Sequence, residues 1–309
     1  MQILSPGSGA DAAGPLVLAF GLGMIGGAIR HSLLRLGYEV RHDIAYDWND
    51  AGQRTEAQQL IAAQCRATAP TNSRLSIAWS AGDATFHSTA MDVQRELNGF
   101  AESISFVKNL KESLRPDRFA FHFVSSAGGL FEGQRVVGMD SRPAPQRPYG
   151  QLKLAQETEL LSNFPARELA LYRPSSVYGP MLQHARKGLI NNLVNNGRKA
   201  LTTVLEAQVM SLRDYVFSHN VGDFVARCIR SGSMGEGPRP ERFLVSSRCS
   251  SIFEVIRKIE RILHLHLRVR YDQNFGNSRN ITFSERVMPA GWSPVTLDVG
   301  LRQFLLGAS

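Results

Sequence analysis

The sequence predicts an α/β fold: a doubly wound, mainly parallel sheet with a smaller C-terminal lobe. Three observations lead there. Short apolar runs of strand length alternate with longer stretches of helical spacing through the first half of the chain, the rhythm made by parallel strands whose connecting helices cover both sheet faces. The first of these runs passes directly into a glycine-rich turn that opens a helix. The composition, 43% hydrophobic and 20% charged over 309 residues, is that of a globular chain long enough to bury a core without disulfides.

Each element has its own signal. Residues 1–14, ending in the small and polar run SPGSGADAAG, read as a flexible leader. Residues 16–20 (LVLAF) form a strand, and Ile25, Ile29, Leu33, Leu34 and Leu36 recur at helical spacing until Gly37 ends the helix. A strand at 38–44, a helix around 56–66 and a strand at 75–79 (LSIAW) follow. A long helical pattern covers 91–114, a buried strand 119–124 (FAFHFV), a helix begins near Tyr149, and ELALYRP at 168–174 makes a further strand. The last third is less regular, with helices near 188–196, 220–231 and 251–263 between strand-like segments at 213–217, 242–246 and 265–271. Residues 15–173 are thus expected to form mainly the first domain, and residues 174–309 mainly a lobe partly interleaved with it.

The turn Gly21-Leu22-Gly23-Met24-Ile25-Gly26 is GxGxxG between a strand and a helix. The first glycine permits the tight turn, and the second lets the backbone approach a pyrophosphate that the helix N-terminus attracts. The third allows helix and strand to pack closely. An acidic residue for the adenosine ribose is expected about 20 residues on, and Asp43 is the candidate. Arg41 and His42 beside it could instead receive a 2′-phosphate, so NAD and NADP both stay open, NAD being the first expectation.

Tyr149 and Lys153 stand four apart in YGQLK, on one face of a helix. A lysine there lowers the phenol pKa and can hold a nicotinamide ribose, leaving the tyrosine to act as general base or acid near neutral pH. The strand before it ends in Ser125 and Ser126, either of which could hydrogen-bond the substrate oxygen that the tyrosine deprotonates.

With these pieces in place the chain resembles the extended short-chain dehydrogenase/reductase family, the nucleotide-sugar epimerases and dehydratases. The likeness runs from residue 15 to the C-terminus. RPYGQLKLAQE at 147–157 is similar to the active-site helix, and LYRPSSVYGP at 171–180 to the strand and turn beneath the nicotinamide. LRDYVFSHNVGDFV at 212–225 resembles the RDY segment, and the stretches at 243–263 and 291–305 resemble two C-terminal signatures. The resemblance implies a Rossmann-type domain binding NAD(P) and a lobe that closes over a nucleoside-diphosphate sugar. It also implies a homodimer through the helices near 91–114 and 149–163. Tyr149 and Lys153 become the catalytic pair, with Ser126 as the third hydroxyl and Ser125 its alternative. Ala81 and Gly82 would flank the cofactor, as would Met24 and Ile25 of the turn. Ser125, Pro174 and Ser175 would lie near the nicotinamide. Ser126, Tyr149, Ser176, Leu189, Arg213 and Arg279 would meet the substrate.

The departures from the family pattern are specific. Phe20 occupies the place of the first glycine of TGxxGxxG. The segment between Asp47 and Leu75 shows no third strand ending in an acidic residue, which would leave the adenine pocket more open. Ser176 replaces an asparagine, and Ala127-Gly128-Gly129 offers no carboxylate for eliminating water. Epimerisation through a 4-keto sugar is therefore expected ahead of dehydration. A 4-keto-sugar reductase and a non-catalytic NAD(P)-binding sensor are the alternatives.

The remaining features point away from other classes. The net charge of +8 is spread without a stripe or aromatic interleaving, so no nucleic-acid partner is expected. The uncharged stretch over 15–29 is short and glycine-broken, residues 1–14 have no basic segment ahead of an apolar run, and no membrane segment or signal peptide is expected. Cys65, Cys228 and Cys249 are far apart, which suits a reducing compartment such as the cytoplasm. His264 and His266 alternate along a strand-like segment without further ligands, so no metal is expected. His122 reads as a satisfied core residue, and Asn191, Asn192, Asn195 and Asn196 as the exposed side and end of a helix.

Overall fold

The computed structural model describes residues 1–7, 14–47, 50–68, 74–85, 88–180, 188–205, 209–232, 239–272 and 280–307. Its first strand is one the sequence reading missed. Residues Gln2–Pro6 (β1), expected within a flexible leader, pair antiparallel with both Leu16–Phe20 (β2) and Tyr38–Asp43 (β3). The reason lies in Ile3 and Leu4, which are fully buried on opposite sheet faces, as the two-residue period of a central strand requires. The polar run that follows hid this short apolar pair.

Between β2 and β3 runs Met24–Arg35 (α1), and after β3 comes Ala51–Thr68 (α2), leading to Arg74–Trp79 (β4). Among the described residues no strand intervenes between β3 and β4, as the sequence indicated. The long helix Ala90–Leu114 (α3) starts on a capping box in which Thr89 and Asp92 exchange side-chain and backbone hydrogen bonds. It is followed by Arg118–Val124 (β5), the single turn Ala127–Leu130 (α4), Pro148–Asn163 (α5) and Leu169–Pro174 (β6).

The lobe contributes Ser176–Tyr178 (β7), Leu189–Arg198 (α6), Thr203–Leu205 (β8), Leu212–Phe217 (β9) and Ser218–Ser231 (α7). After these come Glu241–Leu244 (β10), Cys249–Ser251 (β11), Ile252–Leu263 (α8), Val269–Tyr271 (β12) and Leu297–Leu306 (α9). Among the described residues the main sheet runs β10-β6-β5-β4-β2-β1-β3, parallel except where β1 enters. One face is covered by α2, α3 and the end of α5, around Phe20, Trp79, Phe100, Phe121 and Phe123. The other is covered by α1 and α7, around Ile29, Leu33, Tyr172, Val225 and Ile229.

The lobe does not stand apart. Its β10 extends the main sheet beside β6 and its α7 packs on α1, where a Cβ on Gly222 would meet the Ala28 backbone at 2.5 Å. Its own core gathers Ile190, Leu193, Phe217, Val255, Ile259 and Leu301 beneath the small sheet β11-β9-β7. The strand expected over 265–271 is reduced to β12 because His264 ends α8 in the left-handed region at φ 53°.

Candidate active site

The glycine turn is built as its spacing predicts. Gly21 adopts φ +79°, and a Cβ there would lie 2.4 Å from the Ala81 Cα. A Cβ on Gly26 would lie 1.8 Å from the Gly21 carbonyl oxygen. The Ser80 hydroxyl donates to that same carbonyl at 2.6 Å, while the Ser80 N–H donates to Phe20 O at 2.9 Å, tying the loop after β4 to the turn. Gly23 is different: nothing lies within 4 Å of a Cβ placed on it, and it caps α1 without a side-chain hydrogen bond or an acid in the first turn. The opening N–H groups of α1 are thus left facing open space under a helix dipole, an arrangement suited to a pyrophosphate. Met24 and Ile25 form the first turn of α1.

Phe20 fills the place of the missing glycine with a buried ring, stacked on Trp79 at 4.8 Å and edge-on to Tyr46 at 5.2 Å. Asp43 is level with the end of β2 but one strand farther from the turn than a β2–β3 pair would set it. Strand β1 lies between β2 and β3, which sets Asp43 two strand spacings, about 10 Å, from the end of β2. Its Oδ2 accepts from Gln2 Nε2 at 2.9 Å, and Gln2 Oε1 accepts from Arg30 Nε at 2.8 Å. Arg41 turns the other way, donating to Ser5 Oγ at 2.7 Å and pairing with Glu39 at 2.9 Å.

The turn that follows the strand-end serines does meet α5. Ser125 is buried at the end of β5, with its N–H on Tyr172 O at 2.7 Å and its Oγ without a partner among the described residues. Ser126 caps α4, its Oγ accepting from the Gly129 N–H at 3.1 Å. Two glycines let α4 and α5 touch: a Cβ on Gly150 would strike Gly129 O at 2.2 Å, and one on Gly129 would reach the Tyr149 ring at 3.0 Å. The half-buried Tyr149 is thereby held against the turn that Ser126 caps. One turn on, Lys153 is 6% exposed, its ammonium 5.1 Å from the centre of the Phe123 ring.

Behind this pair lies a network with no signature in the sequence. Lys153 Nζ donates to Gln156 Oε1 at 3.0 Å, and Gln156 Nε2 reaches Glu96 Oε1 of α3 at 3.4 Å. The other Glu96 oxygen accepts the N–H groups of Asp83 at 2.6 Å and Ala84 at 2.7 Å. Ala81 and Gly82 lead into those amides, and a Cβ on Gly82 would meet Glu96 Oε1 at 2.6 Å. Glu96 therefore shapes the loop predicted to flank the cofactor. In the same layer Arg173 grips Glu157 in two hydrogen bonds of 2.9 and 2.5 Å, locking α5 to β6.

Pro174 ends β6 and Ser175 follows it, both buried, and the Ser175 hydroxyl is held by Asp214 of β9. Burial pushes the Asp214 carboxyl up, and hydrogen bonds from Ser175 and Ser246 pull it back. Ser176 pairs with Tyr215 across β7 and β9. Arg213 is half-buried, its guanidinium pulled down by desolvation and held up by Tyr215 and Glu132. Leu189 opens α6 and packs on the lobe core. Arg279 lies outside the described residues. Asn191, expected on an exposed side, is buried because its amide pairs with the backbone of Gly179, donating to the carbonyl at 2.7 Å and accepting from the N–H at 3.4 Å.

Other candidates carry less chemistry. Burial raises the Cys65 thiol to about 12 and Cys249 to about 11, so neither is activated. His266 is exposed near Glu260, and nowhere among the described residues do three metal-ligating side chains gather. No helix among the described residues is long and apolar enough to cross a membrane.

The model of the NAD dependent epimerase/dehydratase family matches residues 20–245, from the glycine turn through α5 to just past β10. The chain belongs to this family. Membership places it among NAD-dependent epimerases and oxidoreductases, enzymes that use a nicotinamide cofactor. The epimerase/dehydratase fold is shared with MoeE5 solved with UDP-glucose and NAD, at a TM-score of 0.73 and 19% identity over 93% of this chain and 96% of that one. It is shared too with the UDP-glucose 4-epimerase of Thermus thermophilus solved with NAD, at 0.72 and 20% over 94% and 98%. RMD from Pseudomonas aeruginosa, complexed with NADPH, matches at 0.69 and 17% over 94% and 96%. No curated protein sequence matches the chain significantly.

Proposed function

We propose that the chain is a nucleotide-sugar epimerase acting through a 4-keto intermediate, with Tyr149 and Lys153 as its catalytic pair. The observation that carries this reading is the α4–α5 contact, where Gly129 and Gly150 seat the Tyr149 ring beside the Ser126 cap while Lys153 lies buried one turn on. Tyr149 takes the proton of the sugar C4 hydroxyl as the carbonyl forms, and returns it as the hydroxyl is remade. The Lys153 ammonium keeps the phenol acidic enough to work near neutral pH. Ser126 accepts the Gly129 N–H and still has its own proton to donate to the substrate oxygen. A bound nicotinamide supplies the reversible hydride acceptor. The residues present fit it: an open cradle over Gly23, and the buried Ser125 hydroxyl with no partner among the described residues.

The cofactor is proposed to be NAD, because Arg41, the residue expected to receive a 2′-phosphate, is engaged by Ser5 and Glu39. The substrate is proposed to be a nucleoside-diphosphate sugar with Arg213 on its diphosphate. A homodimer through α3 and α5, which leave Met91 and Leu161 exposed, completes the reading.

The test is turnover of a nucleotide-sugar panel by enzyme carrying only its co-purified cofactor. Epimerisation should proceed without added NAD(P)H, and Tyr149→Phe should lower it by about 100- to 10,000-fold. Stoichiometric consumption of reduced cofactor would make the enzyme a 4-keto-sugar reductase. Full activity in Tyr149→Phe would remove the catalytic pair.

A further inference from the structure

Glu132 is a buried carboxylate with no assigned role. It leaves α4 just after Phe131, is 6% exposed, and pairs through Oε1 with Arg147 Nε at 3.0 Å. Arg147 is the N-cap of α5, two residues before Tyr149, so the pair stands at the mouth of the active-site helix. The second oxygen, Oε2, is buried and has no hydrogen-bond partner among the described residues. β9 approaches this region from the lobe: Ile281, in the same apolar cluster as Phe131 and Leu130, donates its N–H to the Leu212 carbonyl at 3.3 Å, beside Arg213 and three residues before Tyr215. The Arg213 guanidinium in turn feels the charges of both Glu132 and Arg147. Tyr215 is 5% exposed, and its hydroxyl is likewise buried without a partner among the described residues.

Buried polar atoms are nearly always satisfied, and a charged oxygen left bare is among the most costly exceptions. A bare carboxylate oxygen and a bare phenol oxygen, with Arg147 beside the first and Arg213 beside the second, call for a ligand that brings its own hydroxyl groups and an anion. A hexose hydroxyl donates to a carboxylate oxygen and can pair with a phenol in either direction, while a diphosphate suits guanidiniums. We infer that Glu132, together with the Tyr215 hydroxyl, forms the sugar-recognising contact of the site, accepting a hydroxyl of the hexose whose diphosphate lies against Arg213. This rests on the nucleotide-sugar reading above and adds to it the residues that read the sugar rather than the nucleotide. Arg147 acts through Glu132 as a positioning residue, fixing one oxygen so that the other faces the sugar.

Calorimetric titration with matched pairs tests this. UDP, dTDP, GDP and ADP are each compared with their glucose, N-acetylglucosamine and mannose conjugates, using holoenzyme. Wild type should bind at least one conjugate more tightly than its bare nucleoside diphosphate. Glu132→Gln keeps the volume but changes the acceptor, and should erase about 10- to 100-fold of that sugar increment, read against the same variant's own nucleoside-diphosphate affinity, with the fold intact by circular dichroism. Tyr215→Phe should remove a smaller part of the same increment. A sugar increment that survives in Glu132→Gln would overturn the inference, as would equal losses for conjugate and nucleoside diphosphate. Wild type binding nucleoside diphosphates but no conjugate more tightly would overturn it while sparing Arg213. Wild type binding neither would bring down the nucleotide-sugar reading and this inference with it.

Discussion

Replacing Glu96 by alanine should loosen the loop at Asp83 and Ala84 and the setting of Lys153 in one step. The carboxylate is 8% exposed and accepts two backbone N–H groups at 2.6 and 2.7 Å, as well as the long contact from Gln156. Hydrogen bonds to a charged acceptor contribute about 1.5 to 3 kcal/mol each. Two of them total about 3 to 6 kcal/mol, and because Asp83 is exposed and water can replace part of the loss, the lower end is expected. Urea unfolding should therefore show Glu96→Ala destabilised by about 3 kcal/mol, and Glu96→Gln, which keeps one acceptor oxygen, by about half that. Nicotinamide-cofactor affinity, measured at a temperature where both proteins are fully folded, should fall in Glu96→Ala. An alanine variant within about 1 kcal/mol of wild type, with unchanged cofactor affinity, would refute the reasoning (the threshold is about one ordinary hydrogen bond).

Three further outcomes are expected. Gly23→Ala should fold normally, since its Cβ enters open space, yet lose cofactor affinity, whereas Gly21→Ala should fail to fold stably because its Cβ strikes Ala81; circular dichroism with cofactor titration separates the two. Burial drives the His122 imidazole from 6.5 to about 3, so the unfolded chain binds the extra proton between those values. Stability should accordingly fall as pH drops, by about 2 kcal/mol from about pH 6.5 to about pH 5, and His122→Gln should flatten that slope in denaturant titrations. Leu4→Asp places a charge on a fully buried position of β1 and should destabilise by several kcal/mol (about 3 or more), visible in the thermal midpoint.

The parts of this molecule written in local patterns could be read from the sequence. The GxGxxG turn, the Tyr149–Lys153 spacing and the strand–helix alternation all depend on neighbours within a few residues. Gly21 and Gly26 then meet the close approaches their positions implied. What escaped depends on distant partners. Glu96 looks like one more charge on an amphipathic helix until Asp83, Ala84 and Gln156 surround it. Asn191 follows a polar pattern, yet is drawn inward by the Gly179 carbonyl. Asp43 sits at the expected separation from Gly21, but separation along the chain says nothing of a strand inserted from elsewhere, and β1 sets it one strand farther from the turn. Glu132 carries no motif, and its interest comes only from an oxygen that burial leaves bare.

The direction of β1 has a practical consequence for anyone preparing the protein. Because it runs antiparallel to β2, Gln2 lies level with Ala19, beside the carboxyl ends of the parallel strands, and Met1 donates to Ile44 O at 2.7 Å. An affinity tag fused ahead of Met1 would therefore emerge next to the glycine turn, and its charges would sit beside the entrance to the cradle. A tag after α9 would leave instead from the helical layer of the lobe, where Leu301 and Leu305 anchor that helix. Binding constants measured with tags at the two ends should differ, and the cleaved or C-terminally tagged protein is the one whose affinity reports on the site.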